Sequence, residues 1–397
     1  MSRRDERMAF GGVVTRDGDG DRGASFAELP RVSRLKIAIV APSMGILGGQ
    51  AVQASRLLRS WRDDPDIDAW LVPINPVPPG PLAALTRVKY LRTVVTQLCY
   101  WPLLLRDLRR ADVVHVFSAS YSSFLLAPLP AVLVARLLGK PVVMNYRSGE
   151  APDHLRRSAI ARSTLRSVDG NAVPSRFLHD VFASFGIRSQ VIPNIVDVER
   201  FRFRRRERLR PHVLSTRNFE PLYNLSCTLH AFRIVQDREP EARLTLVGGG
   251  SQEPALRRLA ESLALRNVTF VGRVPPDEIW RYYADADIYL QTPDIDNMPT
   301  SVLEAYASGC PVVATTAGGV PAILTDGVNG LLVPCDDHQA AADAILRLLE
   351  DPALARRIAD AAVDGCTRYQ WSSVRAQWVD LYRGLADGRL AAAATPA

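Results

Sequence analysis

Residues 286–316 read ADIYLQTPDIDNMPTSVLEAYASGCPVVATT, and the order of residue types in this stretch decides the architecture. A β-branched and aromatic run over 287–291 is followed by a polar loop, an apolar helical segment over 299–308 and a second β-branched run over 311–315. Two strands separated by one helix form a parallel β–α–β unit. Pro299 sits where a helix starts, because its fixed φ suits the first turn and its missing N–H is an orphan there anyway. Gly309 suits the helix end. Asp296 then lies in the loop and Glu304 about a turn and a half into the helix. Thr300 and Ser301 present N–H groups and hydroxyls to the space beyond the strands, an arrangement that favours a phosphate. Two carboxylates beside such a helix end accept hydrogen bonds from sugar or ribose hydroxyls. A helix with a solvated acid at each end fits the local pattern as well.

The same alternation runs outward in both directions. Strand patterns are read at 35–41, 69–74, 112–117, 141–146, 168–173 and 190–193, and again at 212–215, 243–247, 268–271, 287–291, 311–315 and 330–333, with helical segments between. Two doubly wound Rossmann-like domains are expected, 34–199 and 211–370, facing each other across a cleft at the carboxyl ends of their strands. Between them RFRFRRRERLR, residues 200–210, reads as a solvated basic linker because like charges resist packing. Residues 371–386 form a helix with Trp371, Val374, Trp378, Leu381 and Tyr382 on one apolar side. Residues 1–33, charged and Gly-rich without an apolar core, are expected to be a disordered extension with no secretory signal, and 387–397 a flexible tail.

The chain of 397 residues suits two domains, and 47% hydrophobic with 23% charged residues is ordinary for a folded protein. The net charge is +7, carried almost wholly by arginine, since Lys36, Lys89 and Lys140 are the only lysines. That excess favours phosphate-bearing ligands or an anionic membrane face. Cys99, Cys227, Cys310, Cys335 and Cys366 form no CxxC pair, which argues against a disulfide framework and a zinc site and fits a reducing cytoplasm. The apolar stretch 124–138 is too short to span a bilayer and reads as a buried helix. Residues 85–110 mix apolar and basic residues and fit either a half-buried domain helix or a helix lying on a membrane surface. After the first strand, Met44 to Gly49 reads MGILGG and leads into a helix; Gly48 and Gly49 allow close backbone approach to a ligand, but the spacing is not that of a dinucleotide site.

Taken in order, GILGGQ, ADVVHVFS, VIPNIVDVERF, STRNFEP, LTLVGGG, VTFVGRV and the stretch quoted above resemble the family 4 glycosyltransferases from about residue 35 to 386. The resemblance implies the GT-B fold and retaining transfer of a sugar from a nucleotide-diphospho-sugar to a hydroxyl acceptor. No cofactor, metal or nucleic acid is expected, and membrane contact is open. It implies that Glu304 meets the ribose, Asp296 the donor sugar, and Arg217 the pyrophosphate. Gly48, Gly49, Met298, Pro299, Thr300 and Ser301 complete the donor site, and the final helix crosses back to the first domain.

Three positions depart from the family pattern. Arg147 stands where a histidine contacting the donor sugar is usual, no lysine follows Arg217, and the first glutamate of the paired motif is shortened to Asp296. Arg147 is expected either to supply the missing cationic role from the opposite wall or to pair with Glu150 or Asp153. These departures motivate one rival, an inert shell serving as a subunit or binding partner; a second rival is a nucleotide-sugar epimerase of similar two-domain architecture. His115, in DVVHVF, is expected to be structural. Gly318 with Gly319, and the run Gly248 to Gly250, are expected near the donor or in tight turns.

Overall fold

The computed structural model describes residues 34–45, 48–80 and 88–388. The expectations for 1–33 and 389–397, and for Ile46 and Leu47 of the glycine loop, fall outside them. The described chain builds two six-stranded, all-parallel sheets. The first contains β1 (Leu35–Ala41), β2 (Ile67–Pro73), β3 (Val113–Ser118), β4 (Val142–Tyr146), β5 (Gly170–Val173) and β6 (Gln190–Val191), in the order β2-β1-β3-β4-β5-β6. The second contains β7 (His212–Ser215), β8 (Arg243–Val247), β9 (Val268–Gly272), β10 (Ile288–Gln291), β11 (Val312–Thr315) and β12 (Leu331–Val333), in the order β12-β11-β10-β7-β8-β9. β1, β3, β4, β7, β10 and β11 are mostly or wholly buried, as strands covered on both faces must be. The strand order reverses between β1 and β3 and between β7 and β10. Those switch points open the crevices in which such sheets hold ligands.

The final helix, Trp371–Ala386, packs on the first sheet. Val374, Trp378, Leu381 and Tyr382 join a core with Ile37, Ile39, Val113 and Phe117. Trp371 meets Trp61 edge-on at 4.4 Å between ring centroids. Arg375 pairs with Asp64 at 2.6 Å and with Asp66 at 2.5 Å, and Arg383 pairs with Asp66 at 2.6 Å.

Three local readings change. The basic run 200–210 is not a solvated linker: Arg206 is buried and donates to the carbonyls of Tyr283, Ala286 and Ser308 at 2.7–3.1 Å. Those carbonyls belong to helix ends that lack intrahelical partners, and a guanidinium with five N–H donors can cap several at once. Buried Asp287 gathers Arg204 at 2.9 Å, Arg206 at 3.4 Å and Arg210 at 2.6 Å, which offsets the repulsion. The apolar stretch 124–138 is not one buried helix either. It breaks at Ala127 before Pro128 into Tyr121–Leu126 and Pro128–Leu137, leaving Leu125, Leu126, Leu133 and Leu137 exposed. A helix over Pro352–Gly365, absent from the sequence reading, starts with proline in its first turn and is capped by the Asp351 carboxylate.

Candidate functional site

The loops at the carboxyl ends of both sheets enclose a cavity of about 590 Å³. All ten residues picked out from the sequence line it: Gly48, Gly49, Arg147, Arg217, Asp296, Met298, Pro299, Thr300, Ser301 and Glu304. Gly48, Gly49 and Arg147 come from the first sheet's side, and the rest from the second.

Arg217 follows β7 by two residues. Its Nη2 lies 2.8 Å from the Asp296 carboxylate and its Nη1 donates to Ser301 Oγ at 3.1 Å. The guanidinium also sits over the Tyr223 ring, 4.1 Å from its centroid. Burial disfavours the Arg217 cation, but Asp296 together with the Tyr223, Tyr289 and Tyr283 hydroxyls outweighs it and raises the pKa. Burial pushes the Asp296 carboxyl above the usual carboxylate range against the pull of Arg217. The absent lysine also has a structural account here. Tyr223 is the platform for Arg217, and Asn224, with φ of 43°, caps the helix Leu225–Arg238 by accepting from Cys227 N at 3.2 Å.

The helix behind the donor motif is Thr300–Ala307, so Pro299 is its cap residue rather than its first helical one, and the free N–H groups of Thr300 and Ser301 face the cavity end. Glu304 sits in the second turn, buried, accepting from Tyr283 Oη at 3.0 Å and paired with Arg56 at 2.5 Å. Gly318 and Gly319 support this loop from behind: a Cβ at Gly318 would lie 2.2 Å from Asp296 O, and one at Gly319 2.1 Å from Asn297 O. They fix the position of Asp296 and are not part of the cavity lining. Gly248 passes equally close to Arg217, its Cβ position 2.1 Å from the Arg217 carbonyl oxygen.

On the opposite wall Arg147 follows β4 directly. Its Nη1 donates to Asn145 Oδ1 at 3.3 Å and its Cζ lies 5.3 Å from the Phe117 ring centroid. It pairs with neither Glu150 nor Asp153, which corrects that expectation. Asp153 is taken by Arg157 at 2.9 Å and Tyr121 Oη at 2.6 Å, and Glu150 contacts Ser148. Burial lowers the Arg147 pKa to about 9. Gly48 and Gly49 have no neighbour within 4 Å of an added Cβ, so their small size leaves room in the cavity rather than relieving a clash.

Sequence reasoning missed Arg56, Gln53 and Asn194. Gln53 and Arg56 lie four and seven residues after Gly49, on the same helix face, and that spacing was the available signal. Both donate to the Ile195 carbonyl, and Asn194 donates to Met298 O at 2.7 Å, so this junction ties the two walls together.

Two parallel α/β domains meeting at such a cleft define the GT-B architecture of nucleotide-sugar enzymes. Comparisons with known proteins then fix the family. The pattern described as Glycosyltransferase Family 4 matches residues 47–200, and that described as Glycosyl transferases group 1 matches residues 197–364. The chain is 31% identical over 294 residues to the GDP-mannose-dependent alpha-(1-6)-phosphatidylinositol monomannoside mannosyltransferase of Mycobacterium tuberculosis, covering 68% of this chain and 75% of that protein. The Mycolicibacterium smegmatis protein of the same name is 31% identical over 261 residues, covering 58% of this chain and 68% of that one. Among solved structures, Anabaena HepE in complex with UDP-glucose superposes with a TM-score of 0.69 at 19% identity, covering 89% of this chain and 100% of that one. Sucrose-phosphate synthase from Thermosynechococcus elongatus gives 0.71 at 20% identity, covering 89% and 99%. This chain belongs to the family 4 glycosyltransferases, and it is a glycosyltransferase of GT-B fold.

Proposed function

We propose that the cleft binds a nucleotide-diphospho-sugar and passes its sugar, with retained anomeric configuration, to a hydroxyl of a lipid-linked or other glycan acceptor. One observation carries this reading. Buried polar atoms without a hydrogen-bond partner gather on the cavity lining from both walls: Arg147 Nη2 and Asn194 Oδ1 on one side and Arg217 Nε on the other. Buried donors and acceptors are rarely left unpaired, and such a cluster marks where a polar ligand supplies the missing bonds. Arg217 with the Thr300–Ser301 helix end suits the diphosphate, Asp296 the sugar hydroxyls, and Glu304 the ribose.

Breaking the glycosidic bond to phosphate builds negative charge on the departing diphosphate. Fixed cations on both walls, Arg217 and Arg147, would stabilise it without reorganising. A leaving phosphate oxygen can take the proton of an acceptor hydroxyl held on the same face of the sugar, so the chain needs to supply positioning and charge rather than a nucleophile. The relatives are named for catalysed transfers, which does not favour the inert-shell reading. Thermal-shift screening against GDP, UDP and their sugars, followed by transfer assays with the donor that stabilises, tests the proposal. Stabilisation by none of them would overturn it, and a new sugar nucleotide formed without acceptor would mark an epimerase.

We also propose a peripheral membrane contact through the helix Lys89–Leu108. Leu91, Val94, Leu98 and Trp101 form an exposed stripe at helical spacing, beside exposed Arg92, Arg106, Arg109 and Arg110. Among the described residues no helix is long and apolar enough to cross a membrane.

A further inference from the structure

Arg147 ends a line of side chains that begins on the last helix. Tyr382 Oη lies 2.6 Å from His115 Nδ1, His115 Nε2 lies 3.0 Å from Asn145 Nδ2, and Asn145 Oδ1 accepts from Arg147 Nη1 at 3.3 Å. The chemistry of Arg147 orients every member. A guanidinium can only donate, so the Asn145 oxygen must face it and the Asn145 amide N–H groups must face His115. His115 Nε2 is therefore the acceptor, Nδ1 carries the ring hydrogen, and that hydrogen goes to Tyr382 Oη.

All three members are buried and all three are neutral. His115 is sandwiched between Phe117 at 5.0 Å and Trp378 at 4.7 Å, and burial together with the Arg147 charge lowers its pKa to about 3. Buried cations are ordinarily paired with a carboxylate. Here the guanidinium is offered an amide oxygen and the Phe117 ring face, and its Nη2 has no partner. In the same cavity Arg217 and Arg56 are each paired with an acid.

We propose that Asn145, His115 and Tyr382 are positioning residues that aim the Arg147 guanidinium at the reaction centre while leaving its charge unneutralised. The final helix is thereby part of the catalytic apparatus, not only a strap across the first domain. The inference rests on the donor-site reading given above.

The test uses the full chain and the donor found by thermal shift. Asn145→Asp keeps the shape but places a carboxylate against Arg147. It is expected to lower kcat by about 100-fold, the scale of losing one transition-state charge partner, with KM within about threefold and a lowered Tm, because the carboxylate offers no N–H to His115 Nε2. Tyr382→Phe removes only the far hydroxyl and is expected to lower kcat by about 3- to 10-fold, as for one hydrogen bond, with nucleotide binding unchanged. In an Arg147→Ala background that second loss should vanish, which a merely structural tyrosine would not show. Wild-type turnover by Asn145→Asp, or an equal Tyr382→Phe loss with and without Arg147, overturns the proposal. If Asn145→Asp fails to fold, the Tyr382 coupling decides alone. A wild-type chain that moves no sugar would instead remove the donor-site reading itself, and this inference with it.

Discussion

Arg56 Nη2 lies 2.5 Å from Glu304 Oε1, joining the first helix of the amino-terminal domain to the helix behind the donor motif. Both side chains are more than nine-tenths buried, and Arg56 also donates to the Ile195 carbonyl at 3.2 Å. Removing one partner strands a buried charge. Arg56→Ala is therefore expected to lower stability by about 3 kcal/mol, read from the urea midpoint. The double change Arg56→Met with Glu304→Gln, which leaves no lone charge, should recover most of that loss. It should not recover nucleotide binding, because the ribose-facing carboxylate is gone. A double variant as unstable as Arg56→Ala would show that the pair does not carry the effect.

Gly48→Ala separates a folding role from a ligand role. The backbone there is extended, and an added Cβ meets nothing within 4 Å. Tm is expected to stay within about 1 °C, since the substitution creates neither a clash nor a cavity. Donor KM should rise about tenfold if the methyl occupies ligand space, an effect of about 1.4 kcal/mol. Unchanged kinetics would remove the glycine loop from the donor site.

Why the fold was legible and parts of the site were not follows from where each signal resides. β4, VVMNY, is fully buried and reads as an apolar run interrupted only by Asn145, so its end, and hence the place of Arg147, follows from local pattern. Asp296 and Glu304 share one loop and one helix, so their spacing carries their relation. Arg56 and Glu304 are separated by 248 positions, and Asn145 and His115 by 30, and no local periodicity records such pairings. The basic run 200–210 misled for the converse reason. Locally it is repulsive, and the Asp287 carboxylate and helix-end carbonyls that satisfy it come from about 75 to 105 residues away.

The exposed stripe on Lys89–Leu108 predicts binding to vesicles. Leu98→Glu together with Trp101→Glu should reduce co-sedimentation with anionic vesicles by at least about tenfold, because each change removes buried apolar area and adds repulsion. Transfer to a water-soluble acceptor should be unaffected, since neither residue lines the cavity. Equal sedimentation of variant and wild type would discard the contact.

His115 gives the protein a pH dependence with a definite sign. Burial, reinforced by the Arg147 charge, holds its folded pKa near 3, whereas an unfolded histidine titrates at about 6.5. Below that value the unfolded chain binds a proton that the folded chain refuses. Stability contributed by neutral His115 is therefore full above about pH 6.5 and is lost progressively as pH falls toward 3, by up to about 1.4 kcal/mol per pH unit. His154 and His212 are also shifted down, chiefly by burial, and add in the same direction. Burial raises the Asp296 pKa, which acts oppositely, so the difference between wild type and His115→Gln, rather than the wild-type slope alone, isolates the histidine. Urea midpoints from about pH 7 to 5.5 should fall in the wild type and fall less steeply in His115→Gln. A slope unchanged in His115→Gln would mean that His115 takes up its proton in the fold as readily as in the unfolded chain, so that its Nε2 is not held as the acceptor on which the hydrogen-bond line from Tyr382 to Arg147 depends.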